Sequence, residues 1–375
     1  MNVLGLKAVD RYVGSPLCIL LSLFRRQQAL EARSKIIFVQ LWGIGETICT
    51  LPTIKAVKKK YPRARVTVLV TKRNRAVYEA LPYVDDIIEL NLTAGSVASF
   101  IMAHQNDFDI AVDMEEYLNI SAIISFFVGK CRIGYSNQIR SRLYDVTVPY
   151  NDRQHVVQTY FELATPLGLS AKPKSLEPVA VGREAERNAR RLLKGLKGKL
   201  LVAIGAGASE SSRCRMWPAQ CFAKLADVLI SKHAAKIVFV GSGAEQAEVE
   251  RIVGRMSNRG AINLAGKTSQ EDLFALLGKF DLFIGNDSGP MHVAAAQGVR
   301  TVGLFGPNLP ARFGPFGTKN ASVYKGTVCQ FSPCINVHLG KVPDCLYSKR
   351  SQDYQKCMKA ISVRDVLLAA EEILK

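Results

Sequence analysis

The sequence predicts an α/β protein built from two doubly wound parallel sheets, each a domain of its own. Three features carry this. Short apolar runs alternate with helical patterns along almost the whole chain, the order that makes a parallel sheet covered on both faces. The runs are continuous rather than alternating, as in strands buried on both sides. A stretch rich in Pro, Ser, Lys and Gly, residues 170–186, interrupts the series near its middle and reads as a linker. The length of 375 residues fits two domains, each of about 150–200 residues.

Residues 1–34 come first. They place Lys7, Arg11, Arg25, Arg26 and Arg33 around the apolar run Leu17 to Phe24, with Asp10 and Glu31 as the acidic members. A cationic helix with such a run suits the interface of a membrane; it equally suits packing on the domain's own surface. Lys35 to Gln40 is the first β-rich strand. It runs into Leu41-Trp42-Gly43-Ile44-Gly45-Glu46-Thr47, a glycine-bearing turn, before a helix expected from about Ile48 to Lys60. Gly43 and Gly45 lack the third glycine of a dinucleotide fingerprint. Glu46 sits where a helix dipole stabilises a carboxylate; it can act as a base or simply cap the helix.

Further strands are expected at Arg65–Val70, Asp86–Leu90, Asp109–Asp113, Arg132–Gly134 and Val146–Val148. Asp113 ends one of them, on the edge that faces ligands in such sheets. His155 opens the helix that closes this half and reads as a core or interface histidine.

The second series begins with a strand at Lys199–Ile204, followed by Gly205-Ala206-Gly207-Ala208 and the polar loop Ser209 to Arg215. Trp217-Pro218 opens a helix to about Lys232. Strands at Lys236–Val240 and Ile262–Leu264 end in Gly241-Ser242-Gly243-Ala244-Glu245 and Ala265-Gly266-Lys267-Thr268-Ser269. The stretch Asp281 to Gly317 is the most informative. A buried strand turns sharply at Asn286-Asp287-Ser288-Gly289-Pro290, a helix follows from Met291 to Gln297, and a strand follows at Thr301–Phe305. A helix N-terminus at a sheet edge offers unpaired N–H groups and positive partial charge, so it suits a diphosphate. The alternative is an ordinary helix capped by Asp287 or Ser288. Gly, Lys, Arg and Ser recur at strand ends throughout this half, as they would where one edge meets an anion.

The formal net charge of +18 and a pI near 9.6 favour anionic partners: nucleic acid, an anionic membrane or a phosphorylated substrate. Nucleic acid ranks last, since no recognition motif or long basic block is present. No apolar run reaches the ~18–20 residues that span a bilayer, and no cleavable secretory signal is evident, which points to the cytoplasm. There the nine cysteines are expected as thiols. Cys329, Cys334, Cys345 and Cys357 lack paired zinc-knuckle spacing; no metal is expected, and the cluster reads as structural or incidental. An amphipathic helix from Ser362 to Leu374 ends the chain.

The blocks GIGETICTLPTIKAVKKKYPRARVTVLV, RMWPAQCFAKLADVL, the glycine stretch ending in Glu245, LAGKTSQEDLFALL and GNDSGPMHVAAAQGVRTVGLFGPNLPARFGP resemble, in order, the signatures of glycosyltransferase family 9. That family comprises the ADP-heptose:lipopolysaccharide heptosyltransferases. The resemblance covers roughly residues 35–370. It implies a GT-B fold, two Rossmann-like domains facing each other across a cleft, and a metal-independent, cofactor-free, inverting transfer of heptose to a lipid A-linked core acceptor. Domain bounds follow as 1–34 for a basic segment, 35–170 for the acceptor domain, 187–355 for the nucleotide-sugar domain and 360–375 for a helix packing back on the first domain.

By the same resemblance Arg215 takes the place of a diphosphate-binding lysine, with Ser211 beside it. Glu245 binds the nucleoside, Lys267 and Thr268 line its pocket, and Asp287, Ser288, Gly289 and His292 surround the diphosphate and sugar. The family's base is an Asp where this chain has Glu46, one methylene longer, so Asp113 is the next candidate. The resemblance also implies a peripheral protein on the inner face of the bacterial inner membrane, working on a phosphorylated glycolipid and not on nucleic acid. A different nucleotide-sugar or glycan acceptor, or a non-catalytic nucleotide-sugar-binding protein, are the competing readings.

Overall fold

A computed structural model describes residues 9–375 except 32, 197–199, 209, 337, 338 and 342; of residues 210 and 211 it describes the backbone only. The chain divides into two compact units. One comprises Met1–Pro173 and Val337–Gly340, the other Lys174–Asn336 and Lys341–Lys375.

The first unit holds a six-stranded sheet of β1 (Lys35–Val39), β2 (Arg65–Val70), β3 (Asp86–Glu89), β4 (Phe108–Asp113), β5 (Gly129–Tyr135) and β6 (Val146–Val148). Its order is β3-β2-β1-β4-β5-β6, with every pair parallel. The second holds β7 (Leu200–Gly205), β8 (Ala235–Val240), β9 (Ile262–Asn263), β10 (Leu282–Asn286), β11 (Arg300–Phe305) and β12 (Asn320–Tyr324). Its order, β12-β11-β10-β7-β8-β9, is the same topology, so each unit is Rossmann-like and the pair is of the GT-B class. In each, the direction of winding reverses between two central strands, β1 and β4 or β7 and β10. Loops at that reversal diverge to opposite faces and leave a crevice at the strands' carboxyl ends.

The apolar runs behave as parallel strands must. Ile36 to Val39 and Val202 to Ile204 are buried on both faces, and two clusters centred on them form the cores. Asn320–Tyr324 was not anticipated, because its only large apolar residues, Val323 and Tyr324, make too short a run to read as a strand; it is held as the sheet's edge by β11.

Three expectations change. The helix after β1 begins at Ile44, not Ile48. Gly43 serves as its N-cap position, so Glu46 lies inside the first turn rather than in a loop. His155 is half-buried rather than core. It is the N-cap of the helix Val156–Glu162, where its Nδ1 accepts the Val157 N–H at 3.2 Å. The C-terminal helix, Val363–Leu374, belongs to the second unit. Its apolar face, with Val366 and Ala370 fully buried, packs on β11, β12 and the helix Ala219–His233 of the second unit. Ser362 and Asp365 form a capping box at its start.

Residues 9–24 form a helical segment lying on the first unit. Asp10 accepts the N–H groups of Asn119 and Ile120 at 3.0 and 2.8 Å. It thereby supplies the N-terminus of the helix Asn119–Val128 with a carboxylate that this helix lacks in its own first turn.

Candidate active site

In the second unit, the carboxyl ends of β7, β8 and β10 converge. Asn286, the last residue of β10 and fully buried, organises them. Its Nδ2 donates to the carbonyls of Ala206 and Gly207 at 2.7 and 3.2 Å, and its Oδ1 accepts the Trp217 N–H at 3.0 Å. One side chain thus ties the ends of β7 and β10 and the loop carrying Arg215 together at the crevice.

The turn after Asn286 leads into the helix Gly289–Ala296. Ser288 occupies the N-cap position without a side-chain cap bond, since its Oγ turns back to the Asn286 carbonyl at 3.2 Å. The expectation of a self-capped helix therefore fails for Ser288; in the first turn Pro290 has no N–H and the Met291 N–H donates to the Ser288 carbonyl at 3.1 Å, so it is the Gly289 N–H that is left for another acceptor. Asp287 also caps nothing. Its Oδ2 accepts from Asn308 Nδ2 at 2.9 Å and pairs with Arg215 Nη1 at 3.3 Å. Arg215 Nη1 also reaches the Asp287 carbonyl at 3.4 Å. The guanidinium is therefore aimed at the turn, at 16% exposure, and its buried Nε has no hydrogen-bond partner among the described residues. An orphaned donor on a held cation beside the uncapped Gly289 N–H is what an anion site provides. His292 is buried in the helix's first turns.

Glu245 forms the neighbouring wall. Its Oε2 accepts Ser242 N–H at 2.6 Å and Ser242 Oγ at 3.0 Å, and its carboxylate lies directly over Gly207 and close to Gly241, where any side chain would collide with it. These glycines are needed for that close approach. Beside Glu245 opens a cavity of about 550 Å³ lined among others by Ala208, Arg213, Trp217, Arg251 and Tyr354. Lys267 and Thr268 follow β9, the outermost strand, with Gly266 in a left-handed turn (φ +74) against Gly243. Three strand spacings separate them from Asp287, about 14 Å. They sit on the Glu245 side, away from the helix terminus. The Ser211 side chain lies outside the described residues.

In the first unit, the turn Gln40–Gly43 joins β1 to the helix Ile44–Lys60. Glu46, half-buried, folds its carboxylate over Gly43. The turn is fixed from several directions. Thr47 Oγ1 donates to the Gly43 carbonyl at 2.7 Å, Asn74 Nδ2 to the Gln40 carbonyl at 2.8 Å, and Thr71 Oγ1 to the Leu41 carbonyl at 3.0 Å.

Asp113 does not join Glu46. It is fully buried, its Oδ1 taken by the Glu115 N–H at 3.0 Å and its Oδ2 by Tyr144 OH at 2.6 Å, Ser121 Oγ at 2.8 Å and Arg140 Nη1 at 3.3 Å. Burial pushes its carboxyl up, against the pull of Arg140 and Tyr144. A strand-end Asp was expected to face ligand; instead Arg140, itself wholly buried, claims it. That geometry removes Asp113 from the groups able to touch a substrate.

Cys214, Cys329, Cys334, Cys345 and Cys357 line one small cavity of about 10 Å³, and all are free thiols. Burial pushes Cys334 up to about 11 and Cys357 up to about 12. Among the described residues no three His, Cys, Asp or Glu side chains stand as a metal-ligand set.

Sequence reasoning passed over Asn286, Asn308 and Glu115. An asparagine ending a buried strand is a visible signal, but its partners lie some 70–80 residues away in sequence.

Two Rossmann-like units, one with a cation aimed at the start of a helix on its ligand-facing sheet edge, define a protein of the GT-B class. The chain belongs to glycosyltransferase family 9 (heptosyltransferase), whose model matches residues 102–336, and it is a glycosyltransferase. It is 23% identical over 310 residues to the lipopolysaccharide core heptosyltransferase OpsX of Haemophilus influenzae, covering 79% of this chain and 86% of that protein. Among solved structures, a family 9 glycosyl transferase from Veillonella parvula superposes with a TM-score of 0.76 at 22% identity, covering 92% of this chain and 99% of that one. The ADP-heptose lps heptosyltransferase II of E. coli gives 0.71 at 21%, covering 91% and 98%.

Proposed function

We propose that this protein moves a heptose from ADP-heptose to a lipid A-linked lipopolysaccharide core acceptor, with inversion at the anomeric carbon and no metal ion. The observation that carries the reading is Arg215, held on Asp287 beside the uncapped start of the helix Gly289–Ala296. The diphosphate is the group that must leave. Its developing charge falls to the guanidinium and the Gly289 N–H at the helix start, donors already in place before reaction. Glu245 takes the ribose hydroxyls, with Lys267 and Thr268 completing the nucleoside side. OpsX is named for core heptosyl transfer and the E. coli structure for ADP-heptose, which supports this donor and acceptor over other sugars.

Glu46 is the general base. It accepts the proton of an acceptor hydroxyl as that oxygen bonds to the anomeric carbon; the bond from that carbon to the ADP oxygen breaks on the opposite face.

The acceptor's lipid places the enzyme at the inner face of the inner membrane. No described helix is long and apolar enough to cross a membrane. The segment 9–24, however, exposes Tyr12, Val13, Leu20, Leu23 and Phe24, each more than half accessible, while Asp10 on the same segment is turned inward. Arg25 and Arg26 follow directly. An apolar face rimmed by arginines suits an anionic bilayer surface. Leu20→Asp with Leu23→Asp should abolish sedimentation with anionic liposomes; unchanged sedimentation refutes the membrane reading.

Calorimetry with a panel of nucleotide-sugars, followed by turnover of Glu46→Gln on the best donor, tests the whole. ADP-heptose should bind tightest, chelator should leave turnover intact, and Glu46→Gln should bind but not turn over. Binding without diphosphate release in the unaltered protein, with any acceptor, would make it a non-catalytic binder instead, the reading that the longer side chain at Glu46 favours.

A further inference from the structure

The turn that carries Glu46 owes its shape to a residue on the neighbouring strand. Glu115 follows β4 by two residues and is 3% exposed. A single oxygen of its carboxyl, Oε1, accepts three donors from the end of β1: Leu41 N–H at 2.6 Å, Trp42 N–H at 2.9 Å and Gln40 Nε2 at 3.1 Å. These are the two backbone N–H groups that a strand leaving its sheet strands without a ladder partner. The carbonyls of the same turn go to Asn74, Thr71 and Thr47, the Gln40 N–H goes to the Leu69 carbonyl at 3.0 Å, and Glu115 takes the Leu41 and Trp42 N–H groups.

Its own position is fixed by the network below it. The Glu115 N–H donates to Asp113, and Arg140 Nη2 donates to the Glu115 carbonyl. Arg140 Nη1 in turn holds the Leu118 carbonyl at 3.1 Å. β1 pairs with β4 in register, Val39 beside Asp113, which puts Gln40 to Trp42 alongside residues 114–116 where the two chains leave the sheet. The buried Asp113–Arg140 pair thus sets Glu115, and Glu115 sets the turn.

We propose that Glu115 is the positioning residue for Glu46: by accepting the Leu41 and Trp42 amides it fixes where the base stands over the acceptor. This rests on the reading of Glu46 as base. Two turn amides without an acceptor would seek water or new partners, and a displacement near 1 Å at a base costs on the order of a hundredfold in rate. The donor's contacts lie on the other unit's strand ends and are untouched.

The test uses the full chain. Glu115→Ala should lose about a hundredfold in kcat with donor KM and ADP affinity within twofold, while hydrogen exchange at the Leu41 and Trp42 amides accelerates at least tenfold. Glu115→Gln, whose amide oxygen accepts the same two N–H groups, should recover kcat to within about threefold and restore their protection. Unaltered exchange at these two amides in Glu115→Ala, or kcat within threefold of the unaltered protein, overturns the proposal. So does equal damage in the Gln and Ala variants, or joint loss of ADP binding, either of which marks a purely structural role. Should Glu46→Gln retain full turnover, the base reading falls, while the exchange measurement still decides whether Glu115 holds the turn.

Discussion

Arg215→Ala is the sharpest probe of the donor site. The guanidinium pairs with the Asp287 carboxylate at 3.3 Å and its carbonyl at 3.4 Å, at 16% and 6% side-chain exposure, and its buried Nε awaits an acceptor. A hydrogen bond to a charged group contributes about 1.5–3 kcal/mol, and about 1.4 kcal/mol is tenfold in affinity. Removing Arg215 should therefore weaken ADP binding by about 10- to 150-fold. The loss should lie toward the upper end, because Asp287 keeps only Asn308 as a partner and its less neutralised carboxylate repels the diphosphate. Adding Asp287→Asn to Arg215→Ala should then recover part of the loss, the signature of coupled neighbours. Arg215→Lys keeps the charge but not the fork and should stay within about tenfold of the unaltered protein. Calorimetric titration with ADP at two salt concentrations reads all four proteins. A folded Arg215→Ala binding ADP within twofold of the original would refute the placement of the diphosphate at this turn.

Other outcomes follow from the same geometry. Gly207→Ala should displace the Glu245 carboxylate it would collide with and cost about tenfold or more in nucleotide affinity, whereas Gly243→Ala, where an added Cβ meets nothing within 4 Å, should bind normally. Asp113→Ala should lower stability by about 3–5 kcal/mol, because it strands a buried arginine, while Glu46→Gln should leave the urea midpoint nearly unchanged. Burial, with Asp113 adding to it, raises the Glu115 carboxyl from 4.5 to about 8. The folded protein therefore keeps a proton that the unfolded chain releases, and the stability this group contributes is full below pH 4.5 and lost as pH rises through about 8. Glu115→Gln should show a flatter fall in urea midpoint between pH 5 and 8.5 than the unaltered protein; equal slopes would assign the titration elsewhere.

Much of the fold could be read directly. Parallel strands buried on both faces are written as unbroken apolar runs, so β1, β2, β7 and β10 could be placed nearly to the residue. The edge strand Asn320–Tyr324 carries half a run and escaped notice. The start of the Ile44–Lys60 helix was misplaced because Gly43 and Gly45 look like loop residues, yet one caps the helix and the other is buried within its first turn. Of the candidate site, Arg215, Asp287 and Glu245 were named through the family resemblance, on a sheet edge where Gly, Lys, Arg and Ser recur.

The sequence by itself determined the class of fold and the family, since these depend on patterns within thirty or so residues. Tertiary structure decided which carboxylates are free to act. Asp113 and Glu46 are each a carboxylate near the end of a strand or start of a helix, alike in local pattern. Only packing distinguishes them: Arg140, Tyr144 and Ser121, from 8 to 31 residues further along the chain, enclose Asp113, while Glu115, some seventy residues after Trp42, leaves Glu46 on a turn held in place. The reason is physical. A carboxyl's solvation and partners are set by whatever surrounds it in space, and those neighbours are drawn from segments that no local window contains.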